Sequence, residues 1–349
     1  MAEKVLMKGN EAIAEGAIAA GCQCFFGYPI TPQNEVPEHM SKRMIELGRV
    51  FLQAESEVAA INMVYGAAGA GARVMTSSSS PGISLKQEGI SYIATAELPA
   101  VIVNVQRGGP GLGGLCPSQS DYFQATKGGG HGDYHLIVLA PSSVQELYDM
   151  VGDAFDLADK YRNPAMLLTD AVIGQMMEPV ELKERKVPNV DKSWATTGHQ
   201  GKRKHNIVNS LGLAWDELAE MNKRLYDKYE TIKANEVRIE EQNVNDADLV
   251  VIAYGSSSRV AKSAIALARA NGVKVGLLRP ITLWPFPSKR VAELAARGKK
   301  FLVVEMSFGQ MYEDVRLAVD GKASVDLLYK LNGTVPSVEE VQQRIESLK

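Results

Sequence analysis

Residues 74–105, VMTSSSSPGISLKQEGISYIATAELPAVIVNV, decide the fold. Two apolar runs, 74–76 and 100–105, flank a segment of the right length for one helix. The second run, Ala100-Val101-Ile102-Val103-Asn104-Val105, shows no polar alternation, so it reads as a strand buried on both faces. Residues 83–95 read as the helix, and Ser77 to Gly82 as the loop that enters it. A buried strand, a helix and a second buried strand imply a parallel sheet, because parallel partners require a crossover.

The same alternation extends both ways. Residues 9–21 predict an amphipathic helix with Gly21 just past its end, and 55–71 predict a second helix rich in Ala and Gly. Strand 136–139, helix 143–160 and strand 165–169 follow. A second βαβαβ pattern begins at Asp248: strand 249–254, a turn at 255–258, helix 259–270, strand 273–278, helix 286–297 and strand 300–305. The expected fold class is therefore α/β, a doubly wound parallel sheet plus a smaller α/β domain. The expected divisions are 1–180, a polar linker region 181–246, and 247–349. Within the linker, Trp215, Leu218, Met221, Leu225 and Tyr229 recur at helical spacing, which predicts one long charged helix over 214–243 with this face packed on its own domain.

The 349 residues are 45% hydrophobic and 23% charged, with a formal net charge of −3. So weak a charge gives no electrostatic case for nucleic acid or an anionic membrane. No apolar run approaches the ~20 residues of a membrane span, and Met1 to Gly9 lack the pattern of a signal peptide. A soluble cytoplasmic protein is expected. The three cysteines, Cys22, Cys24 and Cys116, are too few for a disulfide framework or for a self-contained iron–sulfur cluster. Cys22 and Cys24 read as small core residues.

Ligands on open α/β sheets bind outside the carboxyl ends of strands. Four segments fall there: Gly27 to Pro32, Glu55 to Glu57, Ser77 to Gly82 and Arg107 to Ser118. Glu57 sits among apolar neighbours, where an inward carboxylate needs a compensating partner, whereas Glu55 suits the solvent and the helix dipole. Arg107, ending an apolar strand, suits a carboxylate substrate or an internal ion pair. The glycine-rich stretch after it is neither a Walker loop nor a dinucleotide fingerprint. In the first segment Pro29 and Pro32 bracket Ile30 and Thr31, limiting where the Thr31 hydroxyl can point, and Pro32 suits the first turn of a following helix. His131 is a further catalytic candidate in a loop.

Taken in order, Gly9-Asn10-Glu11-Ala12, Gly27-Tyr28-Pro29-Ile30-Thr31-Pro32, Glu55-Ser56-Glu57-Val58-Ala59-Ala60, Gly71-Ala72-Arg73-Val74-Met75-Thr76, Ser80-Pro81-Gly82, Gln106-Arg107-Gly108-Gly109-Pro110 and His131-Gly132-Asp133 resemble the alpha subunit of 2-oxoacid:ferredoxin oxidoreductases. The branched-chain (2-oxoisovalerate) form is the variant most resembled, with the 2-oxoglutarate form next. The resemblance implies a pyrimidine-type thiamine diphosphate-binding domain and a transketolase C-terminal-like domain. It implies that Glu57 hydrogen-bonds the cofactor's aminopyrimidine ring, that Pro29 shapes the space beside that ring, and that Thr31 and Arg107 hold the 2-oxoacid carboxylate. The family's Gly-Asp-Gly metal motif is missing, since Gly152-Asp153 continues as Ala154. The cofactor would therefore be shared with a beta subunit that carries Mg²⁺ and the diphosphate ligands, and this chain is expected to hold no metal. The [4Fe–4S] clusters would lie on partner subunits, which include a gamma and a ferredoxin-like subunit. Ferredoxin would take the electrons and coenzyme A the acyl group. A non-redox thiamine-dependent lyase or transferase half, and a non-catalytic nucleotide- or coenzyme-binding scaffold, are the alternatives. After Arg107, GGPGLGGLCPSQSD stands where many relatives place hydroxyl residues, which is consistent with an apolar substrate tail. The pattern does not place Arg73, Lys86 or Lys127 in the pocket.

Overall fold

The structure, a computed structural model, describes residues 4–331 and 333–349. Met1 to Glu3, where the expected first division and the leader reading begin, lie outside the described residues. In chain order the elements are β1 (Lys4–Lys8), α1 (Gly9–Ala19), β2 (Cys24–Gly27), α2 (Glu35–Glu46), β3 (Val50–Gln53), α3 (Glu57–Gly69), β4 (Val74–Ser78), α4 (Ser80–Thr95) and β5 (Val101–Gln106). Next come α5 (Tyr122–Thr126), β6 (Ile137–Leu139), α6 (Val144–Tyr161), β7 (Ala165–Asp170), α7 (Ala171–Gln175), β8 (Met177–Glu181) and α8 (Trp215–Asn235). They are followed by β9 (Ile239–Gln242), β10 (Leu249–Ala253), α9 (Gly255–Ala270), β11 (Val275–Pro280), β12 (Thr282–Trp284), α10 (Ser288–Ala296), β13 (Lys300–Glu305), α11 (Gln310–Val319), β14 (Val325–Tyr329) and α12 (Val338–Ser347).

The larger sheet runs β12-β6-β7-β5-β4-β2-β3, parallel throughout except for β12, which pairs antiparallel with β6. Its central strands β4, β5 and β7 are buried along their whole length, as continuous apolar runs on a parallel sheet must be. From β2 the chain steps outward to β3, then returns across β2 to β4 and continues the other way. The order therefore reverses between β2 and β4, the kind of crevice where open α/β sheets take ligands. The smaller sheet, β14-β13-β10-β11-β9, is parallel apart from β9. β1 and β8 form a separate antiparallel pair.

The two sheets are locked together by buried polar groups as well as by packing. Asp170 ends β7, caps α7 through the amides of Val172 and Ile173, and accepts the Ser256 hydroxyl from the smaller unit at 2.6 and 2.7 Å. Gln119 donates to the Tyr254 carbonyl at 2.9 Å and accepts from the Ser257 hydroxyl at 2.8 Å.

Several sequence expectations are corrected. Ser77 to Gly82 is not a loop: β4 runs to Ser78 and α4 starts at Ser80, with Pro81 in the helix's first turn, where its missing N–H costs nothing. The turn expected at 255–258 is the first turn of α9. Pro32 does not open a helix; its carbonyl is held by the amides of Asn10 and Gln175, at 2.7 and 2.8 Å, and α2 begins at Glu35. The helix expected over 214–243 stops at Asn235, because residues 239–242 pair with β11 as β9 instead. Only Leu225 and Tyr229 of its apolar stripe are buried, while Trp215 is 93% exposed.

Candidate active site

At the reversal between β2 and β4, the loop leaving β2 is tied to β4. The Ser77 hydroxyl of β4 donates to the Gln33 side chain, and Gln33 donates to the Tyr28 carbonyl at 3.3 Å. This fixes the Tyr28–Gln33 turn at the carboxyl end of β2. Pro29 and Thr31 are exposed on it. The Thr31 hydroxyl accepts a hydrogen bond from Asn34 at 3.2 Å.

Arg107, just past β5, is buried and reaches across to this turn. One guanidinium nitrogen donates to the Thr31 carbonyl and another to the Leu112 carbonyl, each at 2.9 Å. Its Nε is buried and has no partner among the described residues. The glycine loop beyond it closes on itself, Gly108 donating to the Cys116 carbonyl and Gly114 to the Gly108 carbonyl. Leu112 and Leu115 are left exposed on that loop.

Glu57 is the first residue of α3, whose cap is the Ser56 hydroxyl accepting from the Ala59 amide at 3.2 Å. It is only 6% exposed, whereas Glu55 faces solvent. Among the described residues no donor hydrogen-bonds its carboxylate. Gly82 of α4 lies directly against it: a Cβ there would stand 2.8 Å from Glu57 Oε1 and 2.1 Å from Ser78 Oγ. The Ser78 and Ser79 hydroxyls and the Asn104 side-chain amide oxygen are buried around the same strand ends without partners among the described residues. Buried polar groups are nearly always paired, so this concentration of open hydrogen-bonding capacity marks a half-built polar site.

Two groups here escaped the sequence reading. Lys86 of α4 is fully buried, with its ammonium 3.2 Å from Thr76 Oγ1 and 3.4 Å from the Glu57 carbonyl. Burial lowers it to about 8, opposed by the charge of Glu57. The signal was its spacing, since Lys86 falls on the turn between Ile83 and Ile90, both fully buried. Asp121 accepts from Ser80 at 2.6 Å and from Asn104 at 2.8 Å, and burial pushes its carboxyl up.

The remaining candidates lie elsewhere. His131 is exposed and packs edge-on to Tyr92. Arg73 is buried in ion pairs with Asp156 and Asp159, and Lys127 pairs with Asp314. Burial pushes the Cys22 thiol up to about 12, so it stays protonated. Among the described residues no cluster of three His, Cys, Asp or Glu side chains could hold a metal ion.

Residues 15–242 match the family model described as pyruvate flavodoxin/ferredoxin oxidoreductase, thiamine diphosphate-binding, and residues 247–341 match pyruvate:ferredoxin oxidoreductase core domain II. The chain belongs to the 2-oxoacid:ferredoxin oxidoreductase family. Among curated relatives, ketoisovalerate oxidoreductase subunit VorB of Methanothermobacter thermautotrophicus is 57% identical over 98% of this chain and 97% of its own. The Methanothermobacter marburgensis VorB is 56% identical over the same shares. The 2-oxoglutarate synthase subunit KorA of M. marburgensis is 39% identical over the full length of both. A solved 2-oxoglutarate:ferredoxin oxidoreductase from Magnetococcus marinus, with 2-oxoglutarate, coenzyme A and succinyl-CoA bound, aligns with a TM-score of 0.90 at 27% identity. It covers 99% of this chain, which spans 65% of that one. A split-gene transketolase shares the fold, with a TM-score of 0.62 at 12% identity.

As a member of the 2-oxoacid:ferredoxin oxidoreductases, the chain is one subunit of a multi-subunit enzyme and carries its thiamine diphosphate-binding domain. The residues present fit the aminopyrimidine end of that cofactor. Glu57 offers a buried carboxylate with no protein donor, and Gly82 keeps the space beside it clear. Among the described residues, no helix is long and apolar enough to cross a membrane.

Proposed function

We propose that this chain is the alpha-type subunit of a ferredoxin-dependent oxidoreductase that decarboxylates branched-chain 2-oxoacids to acyl-CoA and CO₂. We read it as 1–180, a linker region 181–246, and 247–349. The observation that carries the catalytic part is the buried carboxylate of Glu57, unpaired within its own chain. Thiamine diphosphate, when bound, supplies a nucleophilic carbon and a sink for the electrons left by decarboxylation. Glu57 accepts a hydrogen bond from the aminopyrimidine ring and holds that proton where the ring needs it, a task suited to a buried carboxylate whose bonding capacity is still open. The Arg107 guanidinium and the Thr31 hydroxyl bind and orient the 2-oxoacid carboxylate, and Pro29 shapes the exposed rim beside the ring. Mg²⁺, the diphosphate ligands and the [4Fe–4S] clusters belong to beta, gamma and ferredoxin-like partner subunits in the cytoplasm, with ferredoxin as electron acceptor.

The branched-chain assignment is supported by a cavity of about 490 Å³ beside Thr31. Pro32, Leu115, Pro117, Ala171 and Val172 make its wall largely apolar, and its one charged group is Glu35. Glu35 is already engaged by Lys8, Asn10 and Gln175. A second carboxylate, as on 2-oxoglutarate, would find no unengaged cation among the described lining residues, whereas a branched aliphatic tail would bury against leucine and valine. The test is co-expression with the partner subunits, followed by viologen or ferredoxin reduction over a panel of 2-oxoacids. A preference for 2-oxoisovalerate is expected; equal rates with 2-oxoglutarate would overturn the substrate, and coenzyme-A-dependent turnover without reduction would favour a transferase.

A further inference from the structure

Lys86 has no place in the function described so far, and its position calls for one. A lysine with no exposed surface is among the rarest arrangements in a folded protein unless it is paired. Its helix, α4, is packed on α3, β4 and β5. α3 reads EVAAINMVYGAAG, β4 VMTSS and β5 VIVNVQ, so the single charged side chain that these three elements offer is Glu57. On the opposite face the 127–135 loop meets α4 through Gln87, Ser91 and Tyr92, and its His131 packs against Tyr92. Glu88 of α4 faces outward and takes the Tyr92 hydroxyl. Asp121 reaches α4 at Ser80, and among the described residues the charge that acts on the Lys86 ammonium is that of Glu57.

The contacts are also directional. Lys86 Nζ donates to the Glu57 carbonyl, which anchors the backbone of the residue whose carboxylate is unpaired, and to Thr76 Oγ1 on the floor of the site. We propose that Lys86 is a positioning residue for Glu57, its ammonium serving as the internal counter-charge of that carboxylate and as the anchor of the first turn of α3. In a poorly screened interior, one unit charge acts on another far more strongly than it would at the surface. The lysine thus holds the first turn of α3, and with it the carboxylate, in register until the cofactor ring arrives, without touching cofactor or substrate. The inference rests on the proposed role of Glu57.

The sign of the pH effect follows from the lysine. Burial lowers Lys86 to about 8, so the counter-charge is present below that pH and lost above it. Turnover should then fall on an alkaline limb near pH 8, and that limb should belong to Lys86. The experiment uses the assembled complex with Lys86→Met and Lys86→Arg, measuring kcat against pH, KM for the 2-oxoacid, and thiamine diphosphate affinity by calorimetry. Lys86→Met is expected to bind the cofactor about tenfold more weakly and to lose about tenfold or more in kcat, the lower part of the range for acid–base machinery. Its KM should be unchanged and its alkaline limb absent. Lys86→Arg should retain most of the activity and shift the limb beyond the assay range, because a guanidinium does not deprotonate there. Wild-type kcat, pH profile and cofactor affinity in Lys86→Met would overturn the proposal, even if the variant unfolded more easily. Should the Met variant fail to assemble, an unmoved alkaline limb in Lys86→Arg would overturn it instead. Full activity of Glu57→Gln would mark the failure of the underlying assignment rather than of this one.

Discussion

Arg107 and Thr31, 76 residues apart in sequence, meet at the reversal of the larger sheet: Arg107 Nη1 donates to the Thr31 carbonyl at 2.9 Å. Because the same guanidinium also holds the Leu112 carbonyl, one side chain sets the distance between the proline turn and the glycine loop. Its fork supplies two backbone contacts and still keeps Nε free. A lysine is a point charge and cannot divide itself in this way. Arg107→Lys in the assembled complex should raise KM for the 2-oxoacid by about tenfold or more, with a smaller loss in kcat. Steady-state kinetics over a range of 2-oxoacid concentrations checks it, and an unchanged KM would exclude Arg107 from carboxylate binding.

Glu57→Gln keeps the shape of the side chain and removes its charge. In the complex, turnover should drop by at least ~10²-fold, the usual contribution of a positioned acid–base group. Near-normal decarboxylation by this variant would remove Glu57 from the mechanism.

Gly82→Ala tests geometry rather than chemistry. The added methyl would lie 2.8 Å from Glu57 Oε1 and 2.1 Å from Ser78 Oγ, so both side chains must move. Overpacking of this kind costs about 1–3 kcal/mol, which a chain of this size should survive. Displacing the carboxylate by even ~1 Å should still cost about 10²-fold in kcat. The expected result is a folded, assembled and nearly inactive complex, seen by comparing thermal unfolding with turnover.

The parts of this picture that were legible in the sequence are those fixed by local burial. Strand runs such as Val101–Val105 announced themselves because both faces are apolar, and the overall resemblance named the family that the matches bear out. The reversal between β2 and β4 was not legible, since strand order depends on pairing between distant segments. Nor was β12, three residues that travel from the far end of the chain to join the larger sheet. Trp215 misled because its spacing matched the stripe of α8, although that stripe packs only from Leu225 onward. Lys86 escaped because lysine is normally a surface residue, and its helical register was outweighed by its charge.

Leu115 offers a direct handle on the substrate. It lines the cavity beside Thr31 on a loop that the Arg107 contact holds in place. Leu115→Arg would put a cation where none is now free. The ratio of kcat/KM for 2-oxoglutarate to that for 2-oxoisovalerate should rise at least about tenfold, the scale on which single pocket contacts discriminate. An unchanged ratio, with the complex intact, would place the substrate tail against another surface.

Arg279 joins the two α/β units and sets part of the acid stability. It is 2% exposed on β11, donates to both carboxylate oxygens of Glu146 on α6 at 2.7 and 2.9 Å, and reaches Glu240 on β9 at 2.8 Å. Burial alone would raise Glu146, but the Arg279 hydrogen bonds and charge outweigh it and hold the carboxyl below its ordinary 4.5. At Glu240 burial is likewise outweighed, by hydrogen bonding from Lys262 and the charge of Arg279. Carboxyls lowered on folding stabilise the native state above the unfolded value, and that stability is lost as pH falls through the folded one. The chain should therefore lose stability as the pH drops below about 4.5. Arg279→Met leaves Glu146 without its cation and Glu240 with Lys262 alone, and breaking a buried pair in this way costs about 3–5 kcal/mol. At pH 7 the variant should unfold at distinctly lower denaturant concentration, and it should lose less than the parent between pH 5 and 3. Equal acid sensitivity in the two proteins would show that the low-pH loss comes from other carboxylates.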